Sequence, residues 1–166
     1  ALERAHALTL QYDHVKYGLG AKNPDQGKVD CSGWAVRLQN ATMDEINRKA
    51  GKEIFSSGDK FSPGYDGAAM IVDKAQKSSG VLLASAMREG MIIGEDNGAK
   101  SWDAGRYKGI DHIVMVVRDP TDGQLKVSQS RGGEGVELSS LDSYLANKQA
   151  RGVALFATDP LHEARD

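Results

Sequence analysis

The sequence has a single cysteine and no strong excess of charge, and both features exclude classes of protein. With Cys31 alone, no disulfide can form within the chain, so a scaffold held by intrachain disulfides is excluded. Lysines and arginines total 21 against 23 aspartates and glutamates, which gives a formal net charge of −2. Because this balance implies no strongly basic surface, we expect no nucleic-acid partner.

Long apolar stretches are also missing. One of the longest, residues 81–87, is far short of the about 20 residues that a membrane-spanning helix needs, so we expect no membrane span. The first residues lack the basic and then apolar layout of a signal peptide, but the chain does not begin with Met, so export stays open. The length of 166 residues suits one domain. We predict a single domain over residues 1–158, followed by a polar tail over 159–166.

The order of the predicted elements indicates an α+β fold. Apolar residues at helical spacing come first, and apolar runs separated by turn sequences such as Asp-Pro-Thr-Asp-Gly at 119–123 come later. We therefore predict N-terminal helices packed on a C-terminal antiparallel sheet. The predicted helices are 2–16, 31–51, 68–75 and 139–146, the predicted strands are 91–93, 110–118, 125–130, 136–138 and 153–157, and residues 81–87 fit either type.

Cys31 is the first candidate for a catalytic residue. It follows Asp30, which has the chemistry of a helix N-cap, and Val29 and Trp34 have the spacing of a hydrophobic staple. The unpaired N–H groups and partial positive charge of a helix N-terminus favour a thiolate, the form in which a cysteine is a nucleophile. A lone cysteine is more often a small core residue. Here the polar setting beside glycine favours the catalytic interpretation.

A thiol nucleophile needs a base, and the base needs a partner that orients it. Among four histidines, His112 is the one predicted to lie in a core strand, where a catalytic group is held rigidly; an ordinary packed or exposed imidazole is the alternative. On the next predicted strand, Gln129 continues an otherwise apolar face, which is unfavourable unless its amide has a buried partner. We predict that the Gln129 carbonyl accepts the imidazole N–H. Ser128 is the second candidate, and an ordinary polar role for Gln129 at the sheet edge stays open.

Together these residues resemble the NlpC family of papain-like cell-wall cysteine peptidases. Asp-Cys-Ser-Gly-Trp at 30–34 resembles the nucleophile motif of that family. Other landmarks follow the family order: a Tyr-x-x-Gly element at 17–20, the turn and strand before the histidine at 88–93, the histidine strand at 112–117 and the strand of the third polar residue at 127–130. The resemblance covers about residues 12–157. Family members often have a second histidine where this chain has Gln129.

The resemblance implies a papain-like fold and hydrolysis of an amide bond in the peptide stem of bacterial peptidoglycan. Cys31 is then the nucleophile, His112 the base, and the Tyr17 hydroxyl a donor to the oxyanion. We also predict substrate contacts from four residues: Asp30, Ser32, Arg131 and Trp102. No His, Asp and Glu cluster has the spacing of metal ligands, so we predict no metal and no cofactor.

The biological setting that the resemblance implies is the bacterial cell wall. We expect a monomer that is secreted, or delivered to the periplasm, as an antibacterial effector or a phage-associated lysin. Stem peptides are the expected partners, together with an immunity protein in the case of an effector. Three alternatives stay open: an amidase that cuts the sugar–peptide junction, an acyl transferase on the same fold, and an inactive domain that binds wall peptides.

Overall fold

A computed structural model of the chain describes residues 2–61, 87–97 and 110–161. Two helices come first in the described residues, and an antiparallel sheet with one further helix follows, which confirms the predicted α+β class. The elements are α1 (Arg4–Gln11), β1 (Lys16–Tyr17), β2 (Lys28–Val29), α2 (Cys31–Ala50), β3 (Ile92–Asp96), β4 (His112–Arg118), β5 (Leu125–Arg131), β6 (Gly135–Ser140), α3 (Leu141–Ala150) and β7 (Ala154–Thr158).

The sheet separates two apolar cores. Within the described residues it has five antiparallel strands in the spatial order β6-β5-β4-β3-β7, so the apolar β4 is central. Side chains alternate between its faces: Ile113, Met115 and Val117 pack in one core, and Val114 and Val116 pack in the other. Because both faces of β4 are apolar, both must be covered by other elements.

Helices cover the two faces. Trp34 and Leu38 of α2 are fully buried in the core that contains Met115, and α1 packs beside α2 on the same side. Leu141 and Tyr144 of α3 pack in the opposite core. The long helix α2 therefore lies against the sheet, and its first residue is held at a defined place relative to β4 and β5.

Local chemistry sets both ends of α2. Asp30 has extended backbone geometry, and its carboxylate accepts the Gly33 N–H at 2.8 Å, which confirms the predicted N-cap. At the other end Gly51 adopts a left-handed conformation with φ of 69°, where glycine is the least strained residue. The helix consequently begins at Cys31 and ends at Ala50, as predicted.

The structure differs from the prediction in several places. The first helix, predicted over 2–16, ends at Gln11, and Lys16 lies in β1. The helix predicted over 139–146 is α3, which begins at Leu141, after the end of β6, and continues to Ala150.

Residues 17–29, predicted as a loop, include the parallel pairing of β1 with β2, which rests on backbone bonds such as Gly18 N–H to the Val29 carbonyl at 3.3 Å. Such a short backbone pairing leaves no side-chain pattern in the sequence. The chain also stays packed past residue 158, because Asp159 and Leu161 are buried. The predicted elements at 68–75 and 81–86 lie outside the described residues.

Among the described residues, no helix combines the length and the apolar character that crossing a membrane requires.

Candidate active site

The thiol lies at the first position of α2, in a turn stabilised by an internal ion pair. Cys31 is 8% exposed. The Lys22 ammonium donates to the Asp30 carboxylate at 2.8 Å and to the Ser32 hydroxyl at 2.7 Å, and the side chains of Asp30 and Ser32 are buried. Both side chains thus stabilise the turn that carries the thiol. Their predicted contacts with substrate stay predictions.

His112 connects the thiol to the sheet. It is the first residue of β4, and its ring forms a hydrogen bond with the Cys31 side chain. Its Nε2–H donates to Gln129 Oε1 at 2.7 Å. Because Nε2 is engaged by the amide, Nδ1 is the nitrogen available to the thiol. The structure thus brings together Cys31 of α2, His112 of β4 and Gln129 of β5 in one chain of hydrogen bonds.

The alternation of β5 separates the two candidates for the third residue. Ser128 points to the α1 and α2 side, where its hydroxyl accepts the Trp34 indole N–H at 2.9 Å and lies 2.7 Å from the Thr9 hydroxyl. Gln129 points to the other face and is buried against His112. The contact with the imidazole is therefore made by Gln129, while Ser128 stabilises the packing of the helices.

The surroundings of His112 favour its protonated form. Burial alone would lower the pKa of His112, because it disfavours the charged ring. The hydrogen bond to Cys31 and the negative charge of Cys31 outweigh this effect, and Glu95 and Gln129 act in the same direction. The pKa of His112 therefore rises to about 9. The imidazole therefore holds a proton at neutral pH. A protonated imidazole beside a cysteine side chain is a group that can donate a proton during thiol chemistry.

Tyr17 lies near the thiol at the end of β1. Its pairing with Val29 of β2 holds it beside the start of α2, and it is half-buried. Burial raises the pKa of the Tyr17 phenol, and the negative charges of Cys31 and Asp30 raise it further. The phenol therefore keeps its proton over the neutral range and can donate a hydrogen bond.

The other two predicted substrate contacts, Arg131 and Trp102, stay predictions. Arg131, at the end of β5, is about half exposed, and its Nε donates to the Glu137 carboxylate at 2.8 Å. Trp102 lies outside the described residues. Within the residues that the structure covers, no group of three or more His, Cys, Asp or Glu side chains is arranged to hold a metal ion.

Sequence reasoning missed Glu95. It lies directly opposite His112 in the β3–β4 ladder and is 1% exposed. Burial alone would raise the pKa of Glu95, but the charge of His112 and the donors around the carboxylate outweigh it, and the pKa is lowered. One signal was available in the sequence: Glu95 follows Ile93 at the two-residue period of a strand, so a longer strand than the predicted 91–93 would place both side chains on one face.

Comparisons with known proteins add two solved structures. No family model matches the sequence, and no curated protein matches it. The NlpC/p60 domain of the peptidoglycan hydrolase SagA is similar over 93% of this chain and 95% of that one, with 15% identity and a TM-score of 0.47. Ly7917 is similar over 96% of this chain and 63% of that one, with 20% identity and a TM-score of 0.40.

Proposed function

We propose that this protein is a cysteine hydrolase of the NlpC type that cuts amide bonds in the peptide stem of bacterial peptidoglycan. The observation that carries the proposal is the continuous contact from Cys31 through His112 to Gln129. It joins a thiol, a protonated imidazole and an orienting carbonyl, which are the three groups that nucleophilic thiol catalysis uses. The choice of substrate is supported by the resemblance of residues 30–34 to the NlpC nucleophile motif.

The proposed reaction begins with the Cys31 thiolate. Its sulfur attacks the carbonyl carbon of the scissile amide and forms a tetrahedral intermediate. His112 then gives its proton to the leaving nitrogen, the carbon–nitrogen bond breaks, and a thioester to Cys31 remains. Water, which loses a proton to His112, attacks the thioester and releases the carboxylic acid. Gln129 keeps the ring in one orientation through both proton transfers.

Two donors are proposed for the oxyanion of the intermediate. The backbone N–H of Cys31 lies at the N-terminus of α2, where it has no partner within the helix. The Tyr17 phenol is the second, because it stays protonated close to the sulfur. Removing one such donor typically lowers the rate on the order of 10²- to 10³-fold.

Peptide release from purified sacculi tests the proposal. We expect the wild-type protein to release soluble peptides and Cys31→Ala to release none, with unchanged circular dichroism and unfolding midpoint. Cys31→Ser is a matched control, because it keeps the size and polarity of the side chain but removes the thiolate. Cleavage that persists in either variant would refute the thiol mechanism.

The products separate the alternatives of the same chemical class. Mass spectrometry of the digest shows a new amine and a new carboxylate within the stem for an endopeptidase. It shows a free lactyl carboxylate on the sugar for an amidase and a crosslinked or exchanged product for an acyl transferase. A thiol that does not react with iodoacetamide near neutral pH would favour a domain that binds wall peptides without cutting them.

The setting of the reaction follows from the substrate. Peptidoglycan lies outside the cytoplasmic membrane, so we propose that the protein acts there after secretion or delivery as an effector or lysin. We propose that it acts as a monomer, with an immunity protein as partner in the case of an effector. Co-purification from a producing cell tests for such a partner, and light scattering tests the oligomeric state.

A further inference from the structure

We infer that Glu95 is a positioning residue that acts through His112, holding the imidazole protonated and turned towards Cys31 by a buried negative charge on the neighbouring strand. The inference deepens the proposed function and rests on it for its catalytic meaning. It concerns a residue outside the motifs that resemble the NlpC family. Glu95 makes no predicted contact with substrate, so its effect must pass through the histidine.

The position of Glu95 is set by the sheet. It is the direct cross-strand partner of His112, so the two side chains leave the β3–β4 ladder on the same side. Its side chain is 1% exposed. An ionised carboxylate in such a place loses its hydration, and this loss costs several kcal/mol unless other groups compensate.

Three donors compensate for the lost hydration of the Glu95 carboxylate and hold it in place. The Tyr144 hydroxyl donates to Oε2 at 2.5 Å, and the Asn97 amide donates to Oε1 at 3.1 Å. The Lys148 ammonium lies 3.2 Å from Oε1 and is 10% exposed. Tyr144 and Lys148 come from successive turns of α3. This helix therefore covers the second core and also holds the Glu95 carboxylate. The charge therefore has one orientation and cannot rotate into solvent.

The charges around His112 indicate what the Glu95 carboxylate does during the reaction. Among the described residues, the charged groups that act on the ring are Cys31 from α2 and Glu95 from β3. Lys148 and Tyr144 of α3 contact the Glu95 carboxylate, and Tyr17 of β1 interacts with Cys31. Asp111 precedes His112 in the chain, and its carboxylate accepts the Asn97 amide. Gln129 from β5 is neutral. When the thiolate attacks the substrate, its negative charge passes to the carbonyl oxygen, and Glu95 remains as the fixed, buried anion on the strand next to the imidazolium. Glu95 thus stabilises the proton on His112 at the stage when that proton must be delivered.

A purely structural role is the competing explanation. A buried Glu95–Lys148 ion pair with a tyrosine can exist to join α3 to β3, and removing it would then lower the stability without changing the histidine. The two explanations differ in the titration of His112, which can be measured without any substrate. For this reason the failure of the inference and the failure of the proposed function are distinguishable.

The experiment is an NMR titration of the His112 ring in the full chain. Cys31→Ala is the background, so that the thiol does not titrate with the ring, and loss of the signal in His112→Ala gives its assignment. Glu95→Gln keeps the shape of the side chain and removes its charge. We expect it to lower the pKa of His112 by about one unit, the usual size for the loss of one nearby opposite charge. An unchanged titration would overturn the inference.

Two further variants keep the test decisive. Lys148→Gln removes the cation that offsets Glu95, so we expect the pKa of His112 to rise, opposite to the effect of Glu95→Gln, although both variants lose stability. A shift of the same sign in both would point to a general disturbance of α3 and overturn the inference. Glu89→Gln is the matched control, because this carboxylate lies by Arg118 at the far end of β4, and it should leave the titration unchanged.

The same variants connect the inference to the reaction. With Cys31 present, Glu95→Gln should shift the alkaline limit of peptide release to lower pH by the same amount as the titration. It should also lower kcat more than it changes KM. Glu95→Asp, which keeps the charge on a shorter side chain, should restore part of the rate. If sacculi are not cleaved by the wild type, the proposed function fails while the titration still decides the role of Glu95.

Discussion

The amide of Gln129 and the hydroxyl of Ser128 are neighbours in sequence with separate tasks. Gln129 contacts the imidazole on one face of β5, and Ser128 binds the Trp34 indole on the other. A change of one residue in register would exchange the two faces. The pair therefore allows an orienting contact and a packing contact to be compared at matched positions.

Gln129→Ala should lower kcat on the order of 10²-fold, because the His112 ring loses the acceptor that orients it for proton transfer. Ser128→Ala should leave kcat nearly unchanged but lower the free energy of unfolding by about 2 kcal/mol, because the buried indole N–H loses its acceptor. Steady-state rates and urea unfolding of both variants measure the contrast. Equal rates in the two variants would contradict an orienting role for Gln129.

The pKa of His112 makes a prediction about alkaline pH. Because this pKa is raised from the ordinary value of 6.5 to about 9, the ring stays protonated through neutrality and loses its proton as the pH rises through about 9. Activity should therefore fall on the alkaline side near pH 9, when the leaving nitrogen has no proton donor. Initial rates across this range, with circular dichroism as a control for folding, check it. A decline that begins near pH 6.5 would contradict the raised value.

At the scale of elements, the first turn of α2 leaves little room for a side chain at Gly33. A Cβ there would lie 3.0 Å from the Asp30 carboxylate oxygen, from the Lys22 Cα and from a Val29 methyl. These atoms belong to the N-cap residue and to the loop that precedes it in the chain. Glycine therefore suits the close approach of the loop to the turn that presents the thiol.

Gly33→Ala should lower the free energy of unfolding by about 2 kcal/mol, because the added methyl forces the cap and the preceding loop apart. It should also lower kcat, since the displaced turn carries Cys31. Gly132→Ala is the control, because a Cβ at that position meets no atom within 4 Å. Unfolding curves and rates measure both effects, and a fully stable Gly33→Ala with normal rates would show that the turn adapts.

Elements with local signals were predictable from the sequence. Asp30 and Gly51 mark the ends of α2 with cap chemistry that acts within a few residues, and the apolar run of β4 marks a buried central strand. The contact between Gln129 and His112 was predictable for a related reason, since a polar residue on an apolar face needs a partner. Cap chemistry and strand alternation are thus enough to find most of the site.

Contacts between distant parts of the chain were not predictable in this way. Glu95 lies in a short strand, and the groups that make its burial tolerable, Tyr144 and Lys148, come from α3 much later in the sequence. No local pattern connects them. The short pairing of β1 with β2 escaped prediction because its bonds are all backbone, and residues with ordinary loop composition can make them.

At the scale of the whole molecule, Gly135 joins the N-terminal segment to the sheet. A Cβ at this residue would lie 2.2 Å from the Val15 carbonyl oxygen, and the next residue, Val136, donates its N–H to that oxygen at 3.0 Å. This contact ties the chain between α1 and β1 to the first residues of β6. Because β1 ends in Tyr17, the contact also holds one side of the candidate active site.

Gly135→Ala should lower the free energy of unfolding on the order of 3 kcal/mol, because the methyl adds a clash to the strain of a positive φ. Gly133→Ala separates the two causes, since Gly133 has a similar φ of 85° against 89° but open space around it. Thermal and urea unfolding of both variants measure the difference. Equal losses would show that backbone strain alone accounts for the effect.

The two reacting groups belong to different layers: the sulfur to the head of a helix, and the imidazole to the sheet beneath it. A small displacement of α2 relative to the sheet would therefore separate the sulfur from the imidazole. A compound that binds between the first turn of α2 and β4 should stop the proposed reaction without contacting the sulfur. Turnover should likewise be lost at a lower pressure, or at a lower denaturant concentration, than the one that unfolds the protein.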